Sequence, residues 1–430
     1  MRDPEDVVAR NGESLLSMAC YLLTMNRRKF LTSLPAAAAA FAARDELAPV
    51  RAITKGPRFH WFGYYDKRQF DVTSRYALGV SNDFQHRLPT ADDKIKLGMV
   101  DTGDGDRWIE LGEGNCWSWH QTCMIQWLPD SRDEVIWNDR QGTRFVSHIV
   151  NVRTRQRRTL PKPIYCLSPD GRFALVNDFA RSFSMRPETG YAGGIDPYAA
   201  DLAPAKSGIW RVDLKSGESE LILSLADVVK VPLRSGDWSG SKHYFDHLLI
   251  APDAKRFTFL QRWGKGVGTG FTTRMFTASV NGTDLRVIDD SGSASHFNWR
   301  DPHTLILWTE HPSHGASWYV IDERTVKFEA LNPEAMNKNG HISYLPGARW
   351  ILSDTSPDAE RKQLQYLYDT KTRRKISVGA FYSAPEYKGF WRCDTTPRFS
   401  PDSKKIVFDS PHNGKGRQMY LIDISGVSLA

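Results

Sequence analysis

Seven times along this 430-residue chain an apolar stretch ends in Asp or Asn and gives way to a polar turn. The copies are Met99-Val100-Asp101, Ile149-Val150-Asn151, Arg211-Val212-Asp213, Ser279-Val280-Asn281, Val320-Ile321-Asp322, Leu367-Tyr368-Asp369 and Leu421-Ile422-Asp423. They recur at intervals of 50, 62, 68, 41, 47 and 54 residues. Asp and Asn bond their own backbone two residues on and tolerate turn geometry, so each copy marks a hairpin. A second series of strands precedes the first: Tyr76–Val80, Val135–Trp137, Phe173–Val176, Phe257–Leu260, Leu305–Trp308, Trp350–Leu352 and Ile406–Phe408. Each follows a turn, and four of those turns are Pro-Asp, at Pro129, Pro169, Pro252 and Pro401. Two hairpins per repeat make a four-stranded antiparallel unit. Such units repeated at roughly 40–50 residues describe an all-β fold, a seven-bladed β-propeller. The last repeat has no clear outer strand of its own, and a strand near Val50–Thr54 is expected to complete it.

Composition narrows the function classes. Hydrophobic residues at 40% and charged residues at 25% exclude a disordered chain, and five cysteines in 430 residues exclude a disulfide scaffold. The net charge of +7 suits an acidic partner. The basic residues are scattered, however. Their one dense run, Arg153 to Arg158, falls on a hairpin tip with no nucleic-acid motif beside it, so nucleic acid is not the expected partner.

The first 44 residues read as an address. Arg27-Arg28-Lys29-Phe30-Leu31 precedes an alanine-rich apolar stretch, Leu34 to Ala43, in which Ala40-Phe41-Ala42 reads as a cleavage site. This is the twin-arginine export pattern, and it predicts a periplasmic or secreted protein. The stretch is too short to span a bilayer of about 30 Å, so no stable membrane insertion is expected. Met25 stands where such a signal would begin. The propeller is then expected over 45–430. Without residues 1–42 the chain carries 52 basic and 46 acidic residues, or +6.

In a propeller the first strand of each blade faces the central channel. Six of the twelve histidines fall in the segments leading into those strands: His60, His120, His243, His247, His296 and His341. His296, His341 and Cys393 belong to three consecutive blades. Two imidazoles and a thiolate suit a divalent metal, zinc by ligand type, with Asp354 or Asp394 as a fourth ligand. The alternative is a buried, unliganded Cys393. A second group joins His120, His243, Tyr244 and His247 to an insertion that carries Arg181, Arg186 and Tyr191. Histidine, tyrosine and arginine together fit proton abstraction beside a carboxylate, which arginine neutralises bidentately. There is no G-x-S-x-G and no second domain of α/β-hydrolase type, which disfavours a peptidase.

Several of these segments resemble a known family: His60–Lys67, Cys123–Pro129, Ile136–Asp139, Arg186–Tyr191, Asp246–Asp253, Arg392–Asp394 and Arg417–Tyr420. They are similar to seven-bladed propeller polysaccharide lyases, most of all the ulvan lyases and more distantly the oligogalacturonate lyases. The resemblance covers about residues 58–425. It implies β-elimination on an acidic, uronate-containing polysaccharide, with His and Tyr moving the protons, an Arg on the uronate and a structural metal. By position it implies His120, Tyr191 and Tyr244 as catalytic residues, with His243 beside them. Arg211 or Arg181 would hold the carboxylate, with His247 nearby. It departs from the family pattern at Thr396, where a histidine is expected near the metal, and in lacking a second catalytic histidine in blade two. The competing reading is a non-catalytic glycan- or protein-binding propeller. Either would act as a monomer.

Overall fold

The structure is a computed structural model, and it describes residues 48–429 apart from 130 and 235. The twin-arginine segment lies outside the described residues. The described strands form seven four-stranded antiparallel sheets, and the sheets follow one another around a ring. From axis to rim, blade one is Phe59–Trp61, Tyr76–Asn82, Ile95–Asp101 and Arg107–Gly114. Blade two is Gln126–Trp127, Glu134–Gln141, Arg144–Asn151 and Arg157–Leu160. Blade three is Cys166–Leu167, Phe173–Val176, Gly208–Asp213 and Ser219–Ser224. Blade four is Lys242–Ile250, Arg256–Gly264, Thr272–Ser279 and Arg286–Gly292. Blade five is Phe297–Asp301, Thr304–His311, Gly315–Asp322 and Lys327–Ala330. Blade six is Ile342–Tyr344, Trp350–Asp354, Lys362–Asp369 and Lys375–Tyr382. Blade seven is Arg398–Phe399, Lys405–Ser410 and Gln418–Asp423, and its rim strand is Val50–Ala52. The segment expected to complete the last sheet does so, pairing Val50 with Ile422 and Ala52 with Tyr420.

The recurring Asp or Asn performs one task in every blade. Its side-chain oxygen accepts the backbone N–H two residues ahead: Asp101 from Gly103, Asn151 from Arg153, Asp213 from Lys215 and Asn281 from Thr283. Asp322, Asp369 and Asp423 do the same with Arg324, Lys371 and Ser425. The turn donors are thereby satisfied within the turn, and the strands on either side keep their own register.

Large side chains fill the wedges between blades. Trp61, Trp117, Trp119, Trp127 and Trp137 pack in one cluster between blades one and two. A second runs through blades two to four, from Ile136 and Ile149 to Phe257, Phe259 and Phe276. Cys116, Cys123, Cys166 and Cys393 are buried and free. No helix among the described residues is long and apolar enough to cross a membrane.

Candidate active site

The segments entering the seven blades converge on a cavity of about 360 Å³. Every blade contributes lining: Trp61 and Tyr64, Trp119 and His120, Arg186, Arg262 and Phe271, His296, His341, and Arg392, Asp394 and Arg417. A cavity lined from all seven blades lies on the propeller axis.

His120 is held there by its own backbone. Ser118 and Thr122 exchange N–H to carbonyl bonds of 3.1 and 3.0 Å around it, and the Thr122 hydroxyl donates to the Phe62 carbonyl. Thr122 takes a φ of 49°, a left-handed conformation that these tethers enforce. The side chain is 8% exposed, and its Nε2 is buried with no hydrogen-bond partner among the described residues. Burial, reinforced by the charges of Arg392, Arg186 and Arg417, holds the imidazole well below its ordinary value. At neutral pH His120 is therefore uncharged.

Those arginines reach the cavity by different routes. Arg186 follows a short helix, Phe179–Met185, whose N-cap Asp178 accepts the N–H groups of Ala180 and Arg181. The chain then doubles back through Gly190. A Cβ there would lie 2.1 Å from the Phe183 nitrogen, so only glycine lets the turn pack on the helix. Arg186 Nε donates to Glu188 Oε1 at 2.8 Å and its Nη1 to Asp246 Oδ2 at 3.1 Å. Arg262 Nη1 donates to the same Asp246 oxygen. Arg392 pairs with Asp394 at 2.8 Å. Arg417 makes no ion pair with the described residues. It donates to the carbonyls of Trp391 and Arg392, and its guanidinium lies 4.7 Å from the Trp119 ring centroid and 5.6 Å from that of Trp61. The Nε atoms of Arg262 and Arg417 are buried without partners.

Behind the wall residue Tyr64 runs a chain of polar groups. The Tyr64 hydroxyl is 3.2 Å from His247 Nδ1, and His247 Nε2 is 3.3 Å from Asp66 Oδ2. Burial raises the Asp66 carboxyl, but Lys67 and His247 outweigh it and bring it down to about 2. An ionised Asp66 places the His247 proton on Nε2, so Nδ1 accepts from the Tyr64 hydroxyl.

The structure separates the residues grouped by sequence. His120 lines the cavity. Tyr244 stands directly across the sheet from Arg262, on the same face, with a buried, unpartnered hydroxyl that burial pushes up to about 12. His247, expected to touch substrate, is instead 1% exposed behind Tyr64 and stacked on Phe297 at 4.0 Å. His243, one residue before Tyr244, faces the other way, against Trp238, Trp263 and Gln261, and burial takes it down to about 4. Tyr191 is stacked on Phe179 at 4.2 Å, and its hydroxyl accepts from Asn138. Arg181 is fully buried and donates to Asp196 and to the carbonyls of His243, Tyr198, Asp201 and Leu202. Arg211 lies on blade three over the Phe173 ring, paired with Glu220. Neither arginine reaches the cavity; Arg186, Arg262, Arg392 and Arg417 do. The arginines at 186, 392 and 417 stand in the family-like segments, whereas nothing in the sequence around Arg262 sets it apart.

The expected zinc site does not form. The His296 and His341 rings lie 4.5 Å apart, with Nδ1 of the first on Asn339 and Nδ1 of the second on Asp354. Burial lowers His341, but Asp354 overrides it and leaves the imidazole raised. Cys393 does not join them. Arg392 and Asp394 on either side line the cavity, whereas Cys393 does not, and burial pushes its thiol up to about 12. No group of three His, Cys, Asp or Glu side chains among the described residues is placed to hold a metal ion.

No protein-family model matches the chain, and no curated protein matches it. Solved structures do. An oligogalacturonate lyase in complex with manganese superposes with a TM-score of 0.62 at 19% identity, over 87% of this chain and 93% of that one. An oligogalacturonate lyase from Vibrio parahaemolyticus gives 0.60 at 13% identity, over 89% and 95%. A prolyl endopeptidase structure gives 0.51 at 12% identity, over 86% of this chain but 49% of its own. At these identities the likeness is one of fold.

Proposed function

We propose that this protein is a lyase that cleaves a uronate-containing polysaccharide or oligosaccharide by β-elimination. The observation that carries the reading is His120, a neutral imidazole with a bare buried Nε2, set among the charges of Arg186, Arg392 and Arg417. The C5 proton of a uronate is weakly acidic, and its loss places charge on the adjacent carboxylate. Fixed guanidinium donors stabilise that charge without reorganising, and one such donor is typically worth about 3–4 kcal/mol. Arg417 lines the cavity with no carboxylate partner among the described residues, so its charge is not cancelled by an ion pair. His120 Nε2 accepts the C5 proton. The C4–O bond breaks as the C4–C5 double bond forms, and a phenol, Tyr64 on the wall or Tyr244 behind Arg262, protonates the departing oxygen. General acid–base steps of this kind contribute roughly 10²–10⁴-fold. Likeness to oligogalacturonate lyases by fold, and to ulvan lyases by motif, names the two substrates to try first.

The test is ultraviolet absorbance of the new conjugated double bond when the protein meets a panel of acidic polysaccharides and oligosaccharides. Unsaturated product from at least one member is expected. Binding without cleavage would instead make it a glycan-binding propeller, and a saturated product would make it a hydrolase.

We also propose export by the twin-arginine route, on Arg27-Arg28-Lys29-Phe30-Leu31 before the alanine-rich stretch. Replacing both arginines with lysine is expected to leave the protein in the cytoplasm, and unchanged export would refute the route.

A further inference from the structure

Between the strands Arg256–Gly264 and Thr272–Ser279 the chain runs Lys265-Gly266-Val267-Gly268-Thr269-Gly270-Phe271. The three glycines take φ of 140°, 78° and 77°, and a Cβ on any of them would meet nothing within 4 Å. The turn stands in open space and is shaped by left-handed conformations that glycine adopts without strain. What it delivers is Phe271. Seven large hydrophobic side chains are exposed among the described residues, and Phe271, at 46%, is the one that lines the axial cavity. Its ring centroid is 4.6 Å from the guanidinium carbon of Arg262 and 5.2 Å from that of Arg186.

The burial the fold gives its other phenylalanines is withheld here. Phe257, Phe259 and Phe276 of the same blade are fully buried. An aromatic ring braced on two guanidiniums and left open beside a polar cavity is a surface awaiting an apolar partner. A sugar ring has one, the face on which its axial C–H groups project. We infer that Phe271 is the platform for a second sugar ring, the neighbour of the uronate whose carboxylate meets the cavity arginines. The inference rests on the lyase reading and adds to it a binding position beyond the reacting residue. The protein thereby recognises an oligouronate rather than a single sugar.

The test is calorimetry on His120→Ala, which binds without turning over, using trigalacturonate and galacturonate as probes. Adding Phe271→Ala is expected to weaken the trisaccharide by about tenfold, the size of one aromatic contact, and to leave the monosaccharide within about twofold. Phe271→Trp is expected to keep trisaccharide affinity. Unchanged trisaccharide binding in Phe271→Ala, an equal loss for both sugars, or no trisaccharide binding in the His120→Ala parent overturns the platform. The lyase reading is judged separately, by unsaturated product from the wild type. If the binding pattern holds and no such product forms, the platform stands and the lyase reading falls.

Discussion

Arg186 and Arg262, from different blades, donate to one and the same carboxylate oxygen, Oδ2 of Asp246. The carboxylate is buried, and its backbone neighbour His247 also donates its N–H to it. Burial alone would raise the Asp246 carboxyl, but the two guanidiniums outweigh it and hold it down. One anion thus fixes the position of two cations at the cavity wall.

Asp246→Asn keeps the shape and removes that anion. Arg186 would keep Glu188, whereas Arg262 would keep no carboxylate partner among the described residues. Loss of one member of a buried ion pair typically costs about 3–5 kcal/mol. Urea unfolding of the variant is expected to show a loss of that order, with an unchanged denaturant slope.

His120→Ala is expected to lower the rate of unsaturated-product formation by about 10²–10⁴-fold, with thermal unfolding close to wild type. The pH profile carries the finer expectation. A base must be unprotonated, and burial with nearby arginines keeps His120 so to well below its ordinary value. The acid limb of kcat/KM should therefore fall below pH 6.5, the ordinary value of an imidazole. A limb centred at or above that value would assign the base elsewhere.

Arg417→Ala is expected to raise KM by about tenfold to a hundredfold, the size of a charged hydrogen bond. Arg417→Lys should restore little, because an ammonium cannot replace a planar guanidinium that lies over Trp119 and donates to the Trp391 and Arg392 carbonyls. For the wild type, KM should rise with ionic strength as salt screens the substrate's charge.

Stability should fall on mild acidification. His60 and His243 are each lowered by burial from 6.5 to about 4. Between those values the unfolded chain binds a proton at each site and the folded chain does not. Stability is therefore complete above 6.5 and is lost progressively as pH drops towards about 4. Each site contributes on the order of 3 kcal/mol across that window. The double variant His60→Gln, His243→Gln should lose less stability between about pH 7 and about pH 5 than the wild type, as read by urea midpoints.

The fold was legible because its signal is local and repeated. Asp213 or Asp369 closes a turn with its own backbone whatever lies around it, and seven such turns at blade spacing leave few other architectures. The site was less legible because a strand turns neighbouring residues to opposite faces. His243 and Tyr244 looked equivalent as sequence, yet only register with Trp263 and Arg262 decides which one joins the arginines. Cys393 lies in an irregular segment ahead of the strand Arg398–Phe399, where no alternation foretells which side chain faces inward, and it is flanked by two residues that do line the cavity. Arg181 and Arg186 lie five positions apart in one insertion. The Asp178 cap and the contact at Gly190 bury the first and present the second, which no motif announces.

The seventh blade has a consequence for how the molecule comes into being. Thr54 donates to Gln418 across 364 residues of chain, beside the pairing of Val50–Ala52 with Gln418–Asp423. The strand that fastens the ring is the first of the described strands to be synthesised and the last to find its neighbour. Until then six blades can stack but the circle stays open, and the axial cavity lacks the wall that Arg392 and Arg417 supply. A ribosome-bound chain would hold His120 and Arg186 in place well before it held a working pocket, so any activity must wait for the clasp.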